Sequence, residues 1–279
     1  MTVQNQSEEK TEYIEKEVFG VTYDRAAMTN LQRILTQQLQ LKTVVETPSH
    51  GAKAAGSLYS IGFARSGCDV TLVNPEEGPL EYWDKLGLKE RLHTAVTDDY
   101  TKTPFKDNQF DMAWNFVTFT MLKDKDAWLK EMMRISSKYV MLINCNNFQL
   151  GYPWHRVLHL MNNIPWNHGS TELNYPWAVQ KWFRQNSLDI VESGTIDSVP
   201  WPDPVGFRDL RLHKRYGANP EGETFKKPAK WDVPMMNYLK EEKLPRWISL
   251  LKMYDIPLRK GYTKLPFSHL FYIIAKIKD

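Results

Sequence analysis

Apolar positions along this chain follow two periods. From Tyr23 to Leu41 they recur every three or four residues, which predicts a helix over 23–41. Short apolar runs predict seven strands, at 43–46, 69–73, 92–96, 110–117, 139–143, 188–196 and 268–277. Helical patterns lie between most of them, at 54–66, 80–87, 128–134 and 175–186. This alternation is typical of a parallel sheet with helices on both faces, so the predicted fold class is α/β.

Two long connections interrupt the alternation. Residues 144–174 follow the fifth predicted strand, and residues 198–266 follow the sixth. Because long excursions at strand ends are often functional, we expect these two insertions to form a lid. The polar and acidic start of the chain predicts a flexible tail over 1–22. Residues 23–279 are then predicted to form a single domain.

Composition narrows the class of protein. A chain that is 42% hydrophobic and 25% charged is an ordinary globular protein, which excludes mainly disordered, collagenous and coiled-coil chains. The apolar runs are far shorter than a membrane span, and the N-terminus has no apolar signal core, so we expect no membrane association. Cys68 and Cys145 can form neither a disulfide framework nor a zinc motif, which favours a cytoplasmic location.

Charge and aromatic residues are unevenly placed. Residues 205–279 carry 16 Lys or Arg against 8 Asp or Glu. This basic C-terminal third could meet an anionic ligand or a protein partner, or could be a solvated basic face. It contains no RNA-binding motif, which argues against a nucleic-acid partner. Seven of the ten tryptophans lie between Trp154 and Trp247, which indicates a pocket wall or the core of an insertion.

Polar residues follow the first two predicted strands. Glu46 ends the first strand, and His50 and Gly51 come in the loop behind it, whose backbone N–H groups could face a polar ligand. Asn74 ends the second strand, and Glu76 follows it. The residue ending strand 2 of a nucleotide-binding sheet commonly holds the ribose hydroxyls. The alternative is an ordinary Asn-Pro turn.

Candidate ligand-binding residues also lie at the ends of the third and fourth predicted strands. The acidic pair Asp98 and Asp99 follows the third strand, where one carboxylate could accept a hydrogen bond from an adenine amino group. As an isolated feature, such a pair is also a common helix cap. Asn115 and Phe116 lie at the end of the fourth strand, where they would face a ligand bound across the strand ends.

The order of these signals resembles a known family. Asp99-Tyr-Thr-Lys-Thr-Pro104-Phe105, followed by Phe110-Asp111 at the fourth strand, is similar to the class I S-adenosylmethionine-dependent methyltransferases of the small-molecule type 11 kind. The resemblance covers about residues 20–147, and the late strands also fit it. It implies a Rossmann-like seven-stranded sheet with an antiparallel last strand, and S-adenosylmethionine as cofactor. The residues that it places around the cofactor are Tyr23, Glu46, His50, Gly51, Asn74, Glu76, Asp98, Asp99, Asn115 and Phe116.

The chain departs from the family pattern at two cofactor signatures. Where the family has glycines after the strand-1 acid, this chain has Pro48, His50 and Ala52, and the strand-2 acid is Asn74. Two hypotheses follow. In the first, the altered loop still binds S-adenosylmethionine, and the protein methylates a small-molecule acceptor. In the second, the fold has lost the cofactor and the chain is a catalytically inactive scaffold or interaction subunit.

Histidines after the fifth strand are candidates for the acceptor side. His155 and His159 lie four residues apart on one predicted helical face, and His168 follows. Methyl transfer to oxygen or nitrogen requires removal of a proton, for which histidine is suited, so His155 or His168 is the predicted base. The alternative is that these side chains pack beside Trp154 and Trp166. No acid stands at metal-ligand spacing, so no metal is predicted.

Overall fold

The computed structural model of this protein describes residues 19–50, 56–164, 166, 170–199, 210, 234–244 and 246–278. The strands are β1 (Thr43–Glu46), β2 (Asp69–Val73), β3 (Leu92–Ala95), β4 (Phe110–Phe116), β5 (Ser136–Cys145), β6 (Leu188–Ser198) and β7 (Ser268–Ile277). The helices are α1 (Phe19–Leu39), α2 (Ile61–Arg65), α3 (Glu77–Lys85), α4 (Lys125–Ile135), α5 (Tyr152–Met161), α6 (Pro176–Gln185), α7 (Pro234–Glu241) and α8 (Arg246–Asp255).

The described strands form one seven-stranded sheet in the order β3-β2-β1-β4-β5-β7-β6. The pairs from β3 through β5 are parallel, and β7 is antiparallel to both β5 and β6. This topology confirms the predicted α/β sheet with its antiparallel last strand. The ends of β1 to β6 and the start of β7 therefore meet at one side, which we call the carboxyl edge. Its strand residues are Glu46, Val73, Ala95, Phe116, Cys145, Ser198 and Ser268.

Helices cover both faces of the sheet. Successive strand residues point to opposite faces, so Trp114 of β4 packs with Phe63 and Trp83 on one side, while its neighbour Ala113 packs with Trp128 on the other. All five of these residues are fully buried. A sheet buried on both faces needs near-continuous apolar strands, which explains why the strands were recognisable as apolar runs.

Two predicted helices differ most from the structure. α1 begins at Phe19, four residues before the predicted helix start at Tyr23. α2 is a short helix over 61–65, and residues 56–60 of the helix predicted over 54–66 form turns, because the chain there closes a loop. Ser57 takes a φ of 62°, and its N–H donates to the Ser49 carbonyl oxygen at 2.7 Å.

The described parts of both insertions contain helices. The first holds α5, and the described part of the second holds α7 and α8, both of which contact α1. Arg33 of α1 and Arg65 of α2 each pair with Glu242, just after α7, at 3.0 Å. Most of residues 200–233 lie outside the described part of the chain, so the lid stays a prediction. Across the described residues, no helix is long and apolar enough to cross a membrane.

Candidate active site

Glu46 ends β1 in a buried pocket. Ser60 Oγ donates to Glu46 Oε2 at 2.6 Å, and Trp114 Nε1 donates to Ser60 Oγ at 3.0 Å. Burial raises the pKa of Glu46 to about 8, although the Ser60 hydrogen bond and the Arg25 charge oppose it. Glu46 is therefore mainly a neutral acid at pH 7, held inside the protein at the carboxyl edge.

Arg25 of α1 lies near Glu46 and contacts the Tyr59 ring, which packs against the end of β4. Its guanidinium is 3.2 Å from the Tyr59 ring centroid, and that ring is 4.0 Å from the Phe116 ring centroid. The predicted residue Phe116 is thus 5% exposed and packed against Tyr59. Sequence reasoning missed Arg25, because an arginine on a helix carries no signal of burial.

Tyr23, predicted to cover the cofactor, lies elsewhere along the same edge. It is 1% exposed and packs against Leu251 of α8. Burial raises the pKa of its hydroxyl, and the charges of Asp255 and Asp197 add to that effect. The structure therefore groups Tyr23 with the end of β6 rather than with Glu46.

Asn115 at the end of β4 is fully buried and joins two strand ends. Its Nδ2 donates to the Thr47 carbonyl oxygen at 2.9 Å and to Thr118 Oγ1 at 2.8 Å. Its Oδ1 accepts from the Phe119 N–H at 2.9 Å. Both polar atoms of the side chain are thus used inside the protein, where Asn115 ties the end of β4 to the loop after β1.

Asn74 at the end of β2 clamps the loop that follows β3. Its Nδ2 donates to the Thr97 carbonyl oxygen at 2.6 Å and to the Tyr100 hydroxyl at 2.7 Å, while its Oδ1 accepts from the Thr97 N–H at 2.8 Å. His50 joins this group, with Nδ1 3.1 Å from the Asn74 carbonyl oxygen and 3.2 Å from the Tyr100 hydroxyl. The structure brings Asn74 and His50 together, but their contacts here are with the protein.

Glu76 is the acid best placed between β1 and β2. Its backbone N–H donates to Ser57 Oγ at 2.8 Å, which holds the start of α3 against the loop after β1. Its carboxylate lies directly over Gly56, where an added Cβ would stand 2.8 Å from Oε1. A glycine is therefore needed at position 56 for the carboxylate to lie there.

The two acids after β3, Asp98 and Asp99, differ in their contacts. Asp99 Oδ1 accepts from the Thr101 N–H at 2.8 Å and from Thr101 Oγ1 at 2.6 Å, and these bonds lower the pKa of Asp99. Asp99 thus closes a turn. Asp98 beside it is exposed, which leaves its carboxylate in contact with solvent at the carboxyl edge.

His155 lies on α5, after β5. It is 7% exposed, its Nε2 is 3.1 Å from His159 Nε2, and both rings lie 5.1 Å from the Trp166 ring. If these two nitrogens are hydrogen-bonded, one of them donates and the other accepts. The predicted base is thus part of a packed aromatic group. Of the other predicted residues, Gly51 and His168 lie outside the described part of the chain.

Sequence reasoning missed another histidine, which lies at the carboxyl edge. His269, the second residue of β7, has Nδ1 at 3.0 Å from Asp197 Oδ2 of β6. The two residues are 72 positions apart, so no local motif announces the pair. Only the pairing of β6 with β7 brings them together.

The comparisons agree with this architecture. Residues 54–142, less than half of the chain, match the family described as a methyltransferase domain. A possible histamine N-methyltransferase from Thermotoga maritima is 13% identical, with a TM-score of 0.51 and coverage of 93% of each chain. The (4+2)-cyclase SpnF is 12% identical, with a TM-score of 0.52 over 89% of this chain and 80% of its own. Among curated proteins, no match to this chain is found.

The family match and the fold confirm the resemblance drawn from the sequence. Residues 54–142 are similar to a methyltransferase domain, and the sheet has the class I, Rossmann-like topology. The cofactor indicated by that family is S-adenosylmethionine. At these identities the two solved structures share a fold with this chain, and one of them is named as a cyclase, so the fold alone does not decide the reaction.

Proposed function

We propose that this protein transfers the methyl group of S-adenosylmethionine to a small-molecule acceptor. One observation carries the proposal. The Glu76 carboxylate, which follows β2, lies over Gly56 of the loop after β1, and exposed Asp98 follows β3. In doubly wound sheets a ligand lies across the strand ends, and an acid near the end of strand 2 commonly holds the ribose.

The residues present fit the adenosine half of that cofactor. A carboxylate can accept hydrogen bonds from both ribose hydroxyls, which suits Glu76. Asp98 can accept from the adenine amino group, since its carboxylate is exposed whereas Asp99 is engaged by Thr101. Glu76 thus takes the ribose role that Asn74, already bonded to Thr97 and Tyr100, is less able to fill.

When bound, S-adenosylmethionine supplies a methyl group on a positively charged sulfur, which an acceptor nucleophile can displace. The chain would hold the acceptor in line with that methyl group and remove its proton. His155 is the base predicted from the sequence and remains a candidate, because α5 follows β5 at the carboxyl edge. If His155 is that base, a His155→Ala variant loses turnover while keeping its cofactor affinity, whereas unchanged turnover places the base elsewhere.

The experiment that tests the proposal is a calorimetric titration of the full chain with S-adenosylmethionine and with S-adenosylhomocysteine. Micromolar binding, roughly −8 kcal/mol, is expected for a working enzyme. Absence of binding by a folded protein would contradict the proposal. It would favour the alternative of an inactive scaffold whose basic C-terminal third meets an anionic or protein partner.

The cytoplasmic location has narrower support. Both cysteines are free thiols in the structure, with Cys68 buried and Cys145 partly buried. Free thiols suit a reducing compartment, so the cytoplasm stays our prediction.

A further inference from the structure

His269 and Asp197 face each other across the β6–β7 pair. Ile196 pairs with Leu270 and Ser198 with Ser268, which puts Asp197 opposite His269. His269 Nδ1 lies 3.0 Å from Asp197 Oδ2, within hydrogen-bond reach. The His269 side chain keeps 31% of its surface exposed, whereas that of Asp197 keeps 11%. His269 is therefore accessible from solvent, and Asp197 is largely enclosed.

The pair stands at the carboxyl edge, next to the end of β5. The Asn146 N–H donates to the His269 carbonyl oxygen at 2.9 Å. His269 therefore lies next to the last paired residues of β5 and β7, Cys145 and Leu270. In this fold, ligands bind outside the strand ends of that edge. Asp197 also takes a φ of 55°, a conformation that non-glycine residues rarely adopt.

The surroundings of the pair are rich in acid. Asp24 of α1 is close enough to Asp197 and His269 to interact with both charges. Burial and the Asp197 charge raise the pKa of Asp24 to about 7. On the other side, the Asp255 carboxylate accepts from the Ser198 N–H at 3.1 Å. The His269–Asp197 pair thus lies beside further carboxyl groups, one from α1 and one from the end of α8.

We propose that His269 is the general base for methyl transfer and that Asp197 is its positioning residue. The inference rests on the proposed function and deepens it. The acceptor is then a nucleophile bearing a removable proton, such as a hydroxyl or an amine. As the acceptor atom forms its bond to the methyl carbon, the carbon–sulfur bond breaks and its electron pair stays on the sulfur. The acceptor proton passes to His269 Nε2, and later to solvent.

Asp197 holds the ring in the form that this step requires. If the Asp197 carboxylate accepts from Nδ1–H, the lone pair of the neutral ring lies on Nε2, and the imidazolium formed by proton transfer is stabilised. His155 has a different geometry, since its Nε2 is directed at a second histidine and the residue is buried. The His269–Asp197 pair therefore has the arrangement expected of a base and its orienting acid.

The test uses the full chain as wild type and as His269→Gln, Asp197→Asn and His93→Gln variants. Asparagine tolerates the positive φ at position 197, which keeps that variant foldable. His93 is exposed on β3 and serves as the matched control. Calorimetry with S-adenosylhomocysteine comes first, and all four proteins are expected to bind it alike. No binding by the wild type would overturn the proposed function and this inference together.

Two further measurements address the base itself. Diethyl pyrocarbonate modifies accessible, unprotonated imidazoles, and mass spectrometry gives the rate at each histidine. We expect bound S-adenosylhomocysteine to slow modification of His269 severalfold and to leave His93 unchanged. Nitrogen-15 spectra are expected to show His269 protonated at Nδ1 in the wild type and at Nε2 in Asp197→Asn. Modification of His269 that is unaffected by the ligand, or a ring protonated at Nε2 in the wild type, would overturn the inference.

Turnover provides the third readout. With tritiated S-adenosylmethionine and a panel of phenols and amines, His269→Gln is expected to lower kcat by about 100-fold or more. His93→Gln should match the wild type. If His269→Gln binds the cofactor and turns over an acceptor at the wild-type rate, the base lies elsewhere, although the proposed function stands.

Discussion

Side-chain direction decides what each strand-end residue does. Asn74 and Glu76 are two positions apart, and the sequence placed both near a ribose. In the structure the Asn74 amide is bonded to Thr97 and Tyr100, whereas the Glu76 carboxylate lies over Gly56. Because hydrogen bonds inside the protein occupy the Asn74 amide, we propose the acid two residues later as the ribose ligand.

A Glu76→Gln variant should bind S-adenosylhomocysteine about tenfold more weakly, because one charge-assisted hydrogen bond is worth about 1.5 kcal/mol or more. Gly56→Ala should have a similar effect, since its Cβ would displace the carboxylate. Calorimetry on both variants provides the measurement. The controls are Glu77→Gln, which alters an exposed neighbour, and Gly78→Ala, whose Cβ meets nothing within 4 Å. Unchanged affinity in Glu76→Gln would remove Glu76 from the site.

An Asn74→Asp variant should be less stable than the wild type by about 1–3 kcal/mol. The substitution removes a donor and sets a carboxylate against the Thr97 carbonyl oxygen, 2.6 Å from the present Nδ2. Urea unfolding gives the difference. Asn108→Asp is the matched control, because Asn108 also has a positive φ, of 56°, and is exposed. Equal stability of the two variants would show that the clamp contributes little.

Among the elements, α4 fixes the loop between β3 and β4. Glu131 Oε1 accepts from the Thr103 N–H at 2.7 Å and from Thr103 Oγ1 at 2.5 Å. Arg134, one turn along, donates to Glu131 and to the Phe105 carbonyl oxygen. Burial alone would raise the pKa of Glu131, but the bonds from Arg134 and Thr103 prevail and hold it below its usual range.

A Glu131→Gln variant should lose about 1–3 kcal/mol of stability at pH 7, because it replaces a charged acceptor of buried donors. The lowered pKa means that this stabilisation is complete above the unfolded-state value and is lost as the pH falls through the folded-state value. Urea unfolding at pH 7 and pH 4 measures both effects, and the difference between variant and wild type should shrink at pH 4. Exposed Glu90→Gln is the control. A constant difference at both pH values would contradict the argument.

Buried acids at the carboxyl edge set a property of the whole molecule. Burial raises the pKa of Glu46 to about 8, that of Asp24 to about 7 and that of Asp255 to about 6. A carboxyl group with a higher pKa in the folded chain binds more protons there than in the unfolded chain. The free energy of unfolding therefore falls as pH rises between the unfolded-state and folded-state values. These three buried acids therefore destabilise the fold at neutral pH, as groups at functional sites often do.

The free energy of unfolding should thus decrease from about pH 5 to pH 8, by up to about 1.4 kcal/mol per pH unit for each such group. Glu46→Gln should flatten the upper part of this dependence, since an amide oxygen can still accept from Ser60. Urea unfolding across the pH range measures the slope, with Glu77→Gln as the control. A slope in Glu46→Gln equal to that of the wild type would show that Glu46 is ionised in the folded protein.

The sequence by itself determined the order of the elements and the fold class. Apolar runs such as Asp69–Val73 and Ser268–Ile277 are local patterns, and the structure has these strands at the predicted bounds. The family signature around Asp99 and Phe110 is also local, and residues 54–142 match a methyltransferase domain. These features could be predicted because backbone period and residue spacing are properties of neighbouring residues.

The tertiary structure alone decided which polar groups meet. Burial raises the pKa of Glu46 against the opposing hydrogen bond from Ser60. Asn115 turns inward because its amide bonds to Thr47 and Phe119. The approach of His269 to Asp197 depends on the register of two strands separated by the whole second insertion. Burial, ionisation and the facing of side chains are set by contacts between distant segments, and spacing along the chain carries no record of them.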